Sequence, residues 1–313
     1  MIDLTKKKSV CLMAFGKTSE TSVGGGSTRR YVGVGTVGVL GVNPSQMELG
    51  KMLGRQGDKE PEYVGTCVID GKDVRWARVD IIVRAEGADN NGIEMTTKLG
   101  FFLRKEFRFS RDRQKTQVID KYGQTAWVTR EQLQAHEIPV YSNGMPANLD
   151  KDYRPCYIGE EMLTAFIKTY LGIRERRFLE PGGNPDECEC RLDSIERYFS
   201  GDVTELRDAI AMRPRNKVKV LFGARESADG RIYQDFFDRA FLRPFQTDYS
   251  WLGKELKRVM DAGVYPNVVF EACPLKEHVV EATDLSKPAE LPFGDPFGEA
   301  AKVTNPWDDN APF

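Results

Sequence analysis

Val74-Arg75-Trp76-Ala77-Arg78-Val79-Asp80-Ile81-Ile82-Val83-Arg84-Ala85 sets the fold class of this chain. Ala77, Val79, Ile81 and Val83 recur at every second position, the period of a strand with one buried face. Trp76, Arg78 and Arg84 fall on the opposite face. Working outward, Tyr31 to Val42 alternates Val with Gly and Thr. Tyr63 to Ile69, Ile93 to Phe109 and Thr116 to Val128 are rich in β-branched and aromatic residues, with Asp-Gly, Asn-Gly and Tyr-Gly turns around them. Five strands in about a hundred residues predict a β-rich domain. One short helix is expected after the first strand, with Asn43 as N-cap, Pro44 at the first helical position, apolar Met47, Leu49, Met52 and Leu53, and Gly54 to stop it.

Beyond Tyr157 the period changes. Met162, Leu163, Phe166, Ile167, Tyr170 and Leu171 form one helical stripe ended by Gly172, and Leu192, Ile195, Tyr198 and Phe199 form a second. Strand patterns return at Val218 to Ala224, Ile232 to Leu242 and Val268 to Ala272, with a helix from Tyr249 to Ala262 capped by Asp248. Gly24-Gly25-Gly26-Ser27 marks a flexible connection near the start. From Glu281 onward there are five prolines, little periodicity and an acidic excess, so disorder is expected. Three parts result: an N-terminal arm and linker over residues 1–28, a body over 29–280 with a helical insertion at about 157–211, and an acidic tail over 281–313.

Several motifs fail on context. Gly33-Val34-Gly35-Thr36-Val37-Gly38 matches a dinucleotide-binding pattern, but Val39-Leu40-Gly41-Val42 continues a strand where a phosphate-binding helix should start. A glycine-rich strand bending around a barrel is the better account. Gly16-Lys17-Thr18 lacks both the first glycine of a P-loop and a following helix. Cys188, Cys190, Cys273 and His278 could supply four ligands to zinc, yet only one residue separates the first pair, so free thiols are expected and no cofactor is assigned. His136 and His278 are the only histidines and stand in no hydrolytic motif, so no enzymatic activity is expected.

What remains is basic and aromatic. Arg104, Lys105, Phe107 and Arg108, then Arg111, Arg113 and Lys115, concentrate positive charge around a predicted hairpin, and Lys121, Tyr122 and Trp127 follow. With Arg29, Arg30, Trp76, Arg78 and Arg84, these are the residue types that grip single strands, cations on phosphates and rings under bases. The alternative for any one of them is a solvated strand face with incidental aromatics.

The chain ends Asn305-Pro306-Trp307-Asp308-Asp309-Asn310-Ala311-Pro312-Phe313. Physically this is a peptide bait. The Phe313 ring and its carboxylate suit an apolar pocket with a basic rim, and the aspartates add steering. The ending resembles the tails of bacterial single-stranded DNA-binding proteins, which finish in aspartates, an apolar residue, Pro and Phe. Several phage counterparts also end in acidic residues and a terminal Phe. The resemblance covers about nine residues, and its acidic run is shorter than the bacterial one. It implies that Trp307, Asp308, Asp309, Pro312 and Phe313 recruit a polymerase, primase, helicase or nuclease. Lys6-Lys7-Lys8-Ser9 is similar to the arm through which T-even phage single-stranded DNA-binding proteins bind cooperatively, with Val10 in place of a second hydroxyl residue. Self-association on DNA is implied.

Composition agrees with such a division. The whole chain carries a formal charge of −2. From Glu281 on, seven acidic residues and two lysines give −5, which leaves +3 for the rest. No run of about 18 apolar residues occurs, and no disulfide framework is visible in the six cysteines, so a cytoplasmic location without membrane attachment is expected. The expectation is an α+β, mainly β protein: an OB-like barrel formed mainly by residues 29–130, a helical insertion, a later β segment that extends or closes the sheet, and a disordered acidic tail. It coats single-stranded DNA during replication or recombination. A virion structural or cargo protein, or a strand-annealing mediator, is the alternative.

Overall fold

The alternating segment becomes the middle strand of a nine-stranded, largely antiparallel sheet that curls into an open half-barrel. A computed structural model of the chain describes residues 29–54, 59–172, 195–227 and 232–278. Strand β1 (Arg30–Val42) leads through helix α1 (Gln46–Leu53) to β2 (Val64–Ile69), β3 (Lys72–Ala85) and β4 (Met95–Phe107). After β5 (Lys115–Ile119), β6 (Thr125–Thr129) and α2 (Arg130–Ala135) come β7 (Arg154–Pro155), β8 (Tyr157–Ile158) and helices α3 (Glu160–Leu171), α4 (Ile195–Tyr198) and α5 (Thr204–Ala211). Strands β9 (Val218–Glu226) and β10 (Ile232–Leu242), helix α6 (Ser250–Asp261), β11 (Val268–Phe270) and β12 (Lys276–His278) complete it. The main order is β10-β9-β1-β3-β4-β8, with β2 beside β3, β11 beside β9 and β12 beside β1.

The two faces of this sheet are set by strand alternation. Val79, Ile81 and Val83 of β3, Leu99, Phe101 and Leu103 of β4, and Val218, Val220 and Phe222 of β9 share the inner face with α3 and α5. Phe101 lies at its centre, 5.6 Å from the Phe166 ring of α3 and 5.5 Å from Phe236 of β10. Each such side chain contributes about 1.5–3 kcal/mol through burial. The outer face is covered at the β10-β9-β1 end by α6, whose Leu252, Leu256 and Val259 pack on Val34, Leu221 and Leu242.

Several expectations need correction. The barrel was expected mainly from residues 29–130, but β5 and β6 leave it and form a separate three-stranded sheet with β7, around Val118, Val128 and Tyr153. The place beside β1 goes to β9, so the later β segment extends the main sheet, as expected. The expected single strand over Thr116 to Val128 is a hairpin, because the Asp120 carboxylate accepts from the amides of Tyr122 and Gln124 and folds a turn there. Helix α1 starts later than expected, with Ser45 and Glu48 forming its capping box. Asn43 instead is buried in a left-handed conformation, accepting from the Asp80 amide and donating to the Arg78 carbonyl. Tyr157 belongs to a strand rather than to the helical stretch that follows. Helix α6 has Tyr249 at its N-cap rather than Asp248, which lies one residue before it and accepts from the Ser250 amide.

The glycine-rich β1 is a strand throughout. Gly33 has φ 109°, and a Cβ there would lie 2.6 Å from the Pro274 carbonyl oxygen. Its lack of a side chain admits the 273–275 segment, which bonds Val34 on both its amide and its carbonyl. The N-terminal arm with Lys6 to Ser9 and Gly16-Lys17-Thr18, the tail with Trp307 to Phe313, and Leu192, Cys188 and Cys190 lie outside the described residues.

Candidate nucleic-acid interface

On the outer face, β3 and β4 are paired so that Trp76 stands opposite Arg104, Arg78 opposite Phe102, Asp80 opposite Gly100, and Ile82 opposite Lys98. The pairing follows from the inner-face alternation, since a slip of one residue would expose Val79 and Ile81. Trp76 stacks on Phe102 with ring centroids 5.6 Å apart and planes inclined by 25°. On its other side the indole covers Gly65 of β2, where a Cβ would lie 2.5 Å from the ring. Both rings remain partly exposed. This is an aromatic shelf held flat against the sheet.

Cations surround the shelf. The Arg78 guanidinium lies 5.6 Å from the centre of the Tyr63 ring and 3.1 Å from the Asp80 carboxylate, and Lys98 reaches the same carboxylate at 3.2 Å. Arg104 lies 3.3 Å from Glu106. The Arg78–Asp80 and Arg104–Glu106 contacts have ion-pair distances without hydrogen-bond alignment, at atoms hidden from solvent. Tyr63 donates to the Pro44 carbonyl at 2.6 Å, and burial, reinforced by the Asp80 charge, pushes its hydroxyl pKa up, so it stays protonated as a donor. Helix α1 spans this face farther along: Met52 lies over Gly41, the helix also approaches β4, and Ile82, in the same row, is fully buried.

The other expected contacts are dispersed. Lys105 and Phe107 sit at the rim of the inner face, where Lys105 pairs with Glu196 at 2.8 Å and Phe107 stacks on Tyr157 at 5.2 Å. Tyr157 bonds Glu196 closely, and burial with that bond pushes its hydroxyl up to about 12. Arg108 bridges to Glu161 and Gln117 while covering Trp127 at 5.8 Å. With Gln117 also donating to Glu161, Arg108, Gln117 and Glu161 link the end of β4 and helix α3 to β5 of the small sheet. Lys121 contacts Asp150, and Tyr122 is buried, so a base cannot stack on it, contrary to expectation. Arg84 is opposite Thr96 at the far end of β3, with Glu86 at 3.0 Å. Arg29 pairs with Glu277, and Arg30 donates to the Ile232 carbonyl. Arg111, Arg113 and Lys115 are exposed at the β4–β5 turn, beside the half-exposed Phe109.

The shelf therefore unites Trp76, Arg78 and Arg104 of the expected set and adds Phe102, Lys98 and Tyr63. The added residues were legible in one respect: Phe102 and Lys98 share even-numbered positions with Arg104, across from the apolar odd positions Leu99, Phe101 and Leu103. Among the described residues, no group of three or more His, Cys, Asp or Glu is placed to hold a metal ion. No described helix is long and apolar enough to cross a membrane. The chain matches no family model, no curated protein and no solved structure.

Proposed function

We propose that this protein binds single-stranded DNA with little sequence preference, on the outer face of an OB-like open sheet. The observation that carries this is the Trp76–Phe102 stack, held flat beside Arg78, Lys98 and Arg104. Rings of this kind receive bases of any sequence, and the cations take the phosphates. The protein acts by stoichiometric coating rather than turnover. Recruitment of replication or repair enzymes through Trp307–Phe313, and cooperative assembly through the N-terminal arm, belong to the same proposal and rest on the sequence alone.

The test is a titration of oligo-dT and of duplex DNA at two salt concentrations, with wild type and Trp76→Ala. Binding of oligo-dT should exceed binding of duplex and weaken steeply with salt. The substitution should cost about 5- to 150-fold, the equivalent of one base stack of about 1–3 kcal/mol. Equal affinity for duplex and single strand, or no effect of Trp76→Ala, would remove the reading.

A further inference from the structure

At the opposite end of the outer face lies a second cationic and aromatic surface. The loop between α5 and β9 reads Arg213-Pro214-Arg215-Asn216-Lys217. Antiparallel register places Val218 opposite Val37 and Lys219 opposite Leu242. One step beyond these pairs, Lys217 comes beside Gly38, which stands opposite Arg84 of β3. Continued two steps past Lys219–Leu242, the same register brings Lys217 level with Pro244, next to Phe245 in the chain. Phe245 is 71% and Trp251 57% exposed, and Trp251 walls a depression of about 320 Å³ with Leu242 and Gln246.

Both loops are pinned. Asn216 donates to the Tyr170 carbonyl at 2.8 Å and its amide bonds the Arg213 carbonyl. On the other side the Lys219 ammonium donates to the Gln246 carbonyl at 2.5 Å and lies 5.5 Å from the Tyr249 ring. Phe245 and Trp251 are thus displayed on fixed backbone, with little ordering cost for a ligand that stacks on them. Around the first shelf, carboxylates stand close to Arg78, Lys98 and Arg104, whereas none of the ion pairs among the described residues involves Arg213, Arg215 or Lys217.

We infer that Arg213, Arg215, Lys217, Phe245 and Trp251 form a second station for the same single strand, so that one molecule engages DNA on both sides of α1. This rests on the single-strand reading above and extends it to a footprint. Eight residues separate Trp76 from Arg84, about 26 Å along the strand, and two strand spacings add about 10 Å sideways. The separation, about 28 Å, corresponds to about eight nucleotides at about 3.4 Å each.

The experiment titrates the full chain with oligo-dT of about five and about sixteen nucleotides, lengths that fall short of and exceed that separation. It compares wild type, Arg215→Gln/Lys217→Gln and Phe245→Ala/Trp251→Ala, all changes at exposed positions. For the longer oligonucleotide, the aromatic variant should bind at least about fivefold more weakly. The charge variant should reduce the slope of log affinity against log salt by about 1.4, or about 0.7 for each cation removed. For the shorter one the change should be at most about twofold, because the Trp76 station remains. Wild type that binds the longer oligonucleotide, with both variants unchanged, overturns the second station and leaves the first reading standing. Wild type that binds neither length overturns both.

Discussion

Gly65 shows how one missing side chain shapes the candidate site. Its Cα faces the underside of the Trp76 indole, and a Cβ would come within 2.5 Å of Cζ2, 2.7 Å of Cε2 and 2.9 Å of Nε1, closer than van der Waals contact allows. The Gly65→Ala variant must therefore lift or turn the ring and break its parallel alignment with Phe102. Because β2 is an edge strand paired only to β3, the sheet should survive the change. The expected outcome is a loss of oligo-dT affinity of about fivefold or more, one weakened stack, with cooperative thermal unfolding retained. Unchanged affinity would show that the flat indole is not the contact. The alternation of β3 made Trp76 and Arg78 legible from sequence. The carboxylates that occupy Lys105, Arg108 and Lys121 were not, because Glu196, Glu161 and Asp150 are remote in the chain and no local pattern pairs them. The cations of the 213–217 loop were in plain view as three basic residues in five, but they lie in a helix-to-strand joint where no periodicity drew attention to them.

At the scale of elements, tertiary demand decided what propensity left open. Asn43 before Pro44 has the chemistry of a helix cap, yet the backbone of β3 takes its side chain and Ser45 caps α1 instead. The short helix α5 shows the converse, a cap supplied from outside the helix. The Asp202 carboxylate accepts from the Thr204 amide at 3.0 Å and pairs with Arg197. Bonds from Thr204, amide first, and then from Arg197 hold its pKa down at about 2, below the ordinary 3.8. A depressed carboxylate stabilises the fold fully above its unfolded value, and that contribution is lost as pH falls from near 4 through about 2. Asn at this position keeps the hydrogen bond to the helix without titrating. The Asp202→Asn variant should therefore lose less stability than wild type between pH 5 and pH 2 in urea unfolding. Equal losses would show that Asp202 does not carry this part of the acid response.

For the molecule as a whole, the decisive contacts join distant parts of the chain. Strand β1 is paired over Gly33–Val37 with β9 and over Arg30–Val32 with β12, partners more than 180 residues away. The inner core is equally divided: Phe101 from the first half packs against Phe236 and Phe241 from the second. Sequence patterns identified the strands on both sides of the helical segment, but periodicity is local and cannot say which strand lies beside which. That is why the barrel was expected mainly from residues 29–130, whereas the structure is an open sheet in which β9 takes the place beside β1. The difference has a measurable consequence. A fragment of residues 29–172 keeps β1 to β8 and α3, yet it exposes one edge of β1 and uncovers the apolar surface over Val37, Phe101 and Phe166 that Val220, Phe222 and Phe236 bury. Losing those three side chains alone removes about 5–9 kcal/mol of burial, comparable to the net stability of a domain of about 5–15 kcal/mol. The fragment should show no cooperative thermal transition and should aggregate through the bare β1 edge. The full chain should unfold cooperatively and refold slowly, as expected when contacts are far apart in sequence. A cooperatively folding fragment that binds oligo-dT like the full chain would make residues 29–172 a self-contained binding domain and the later strands an addition to it.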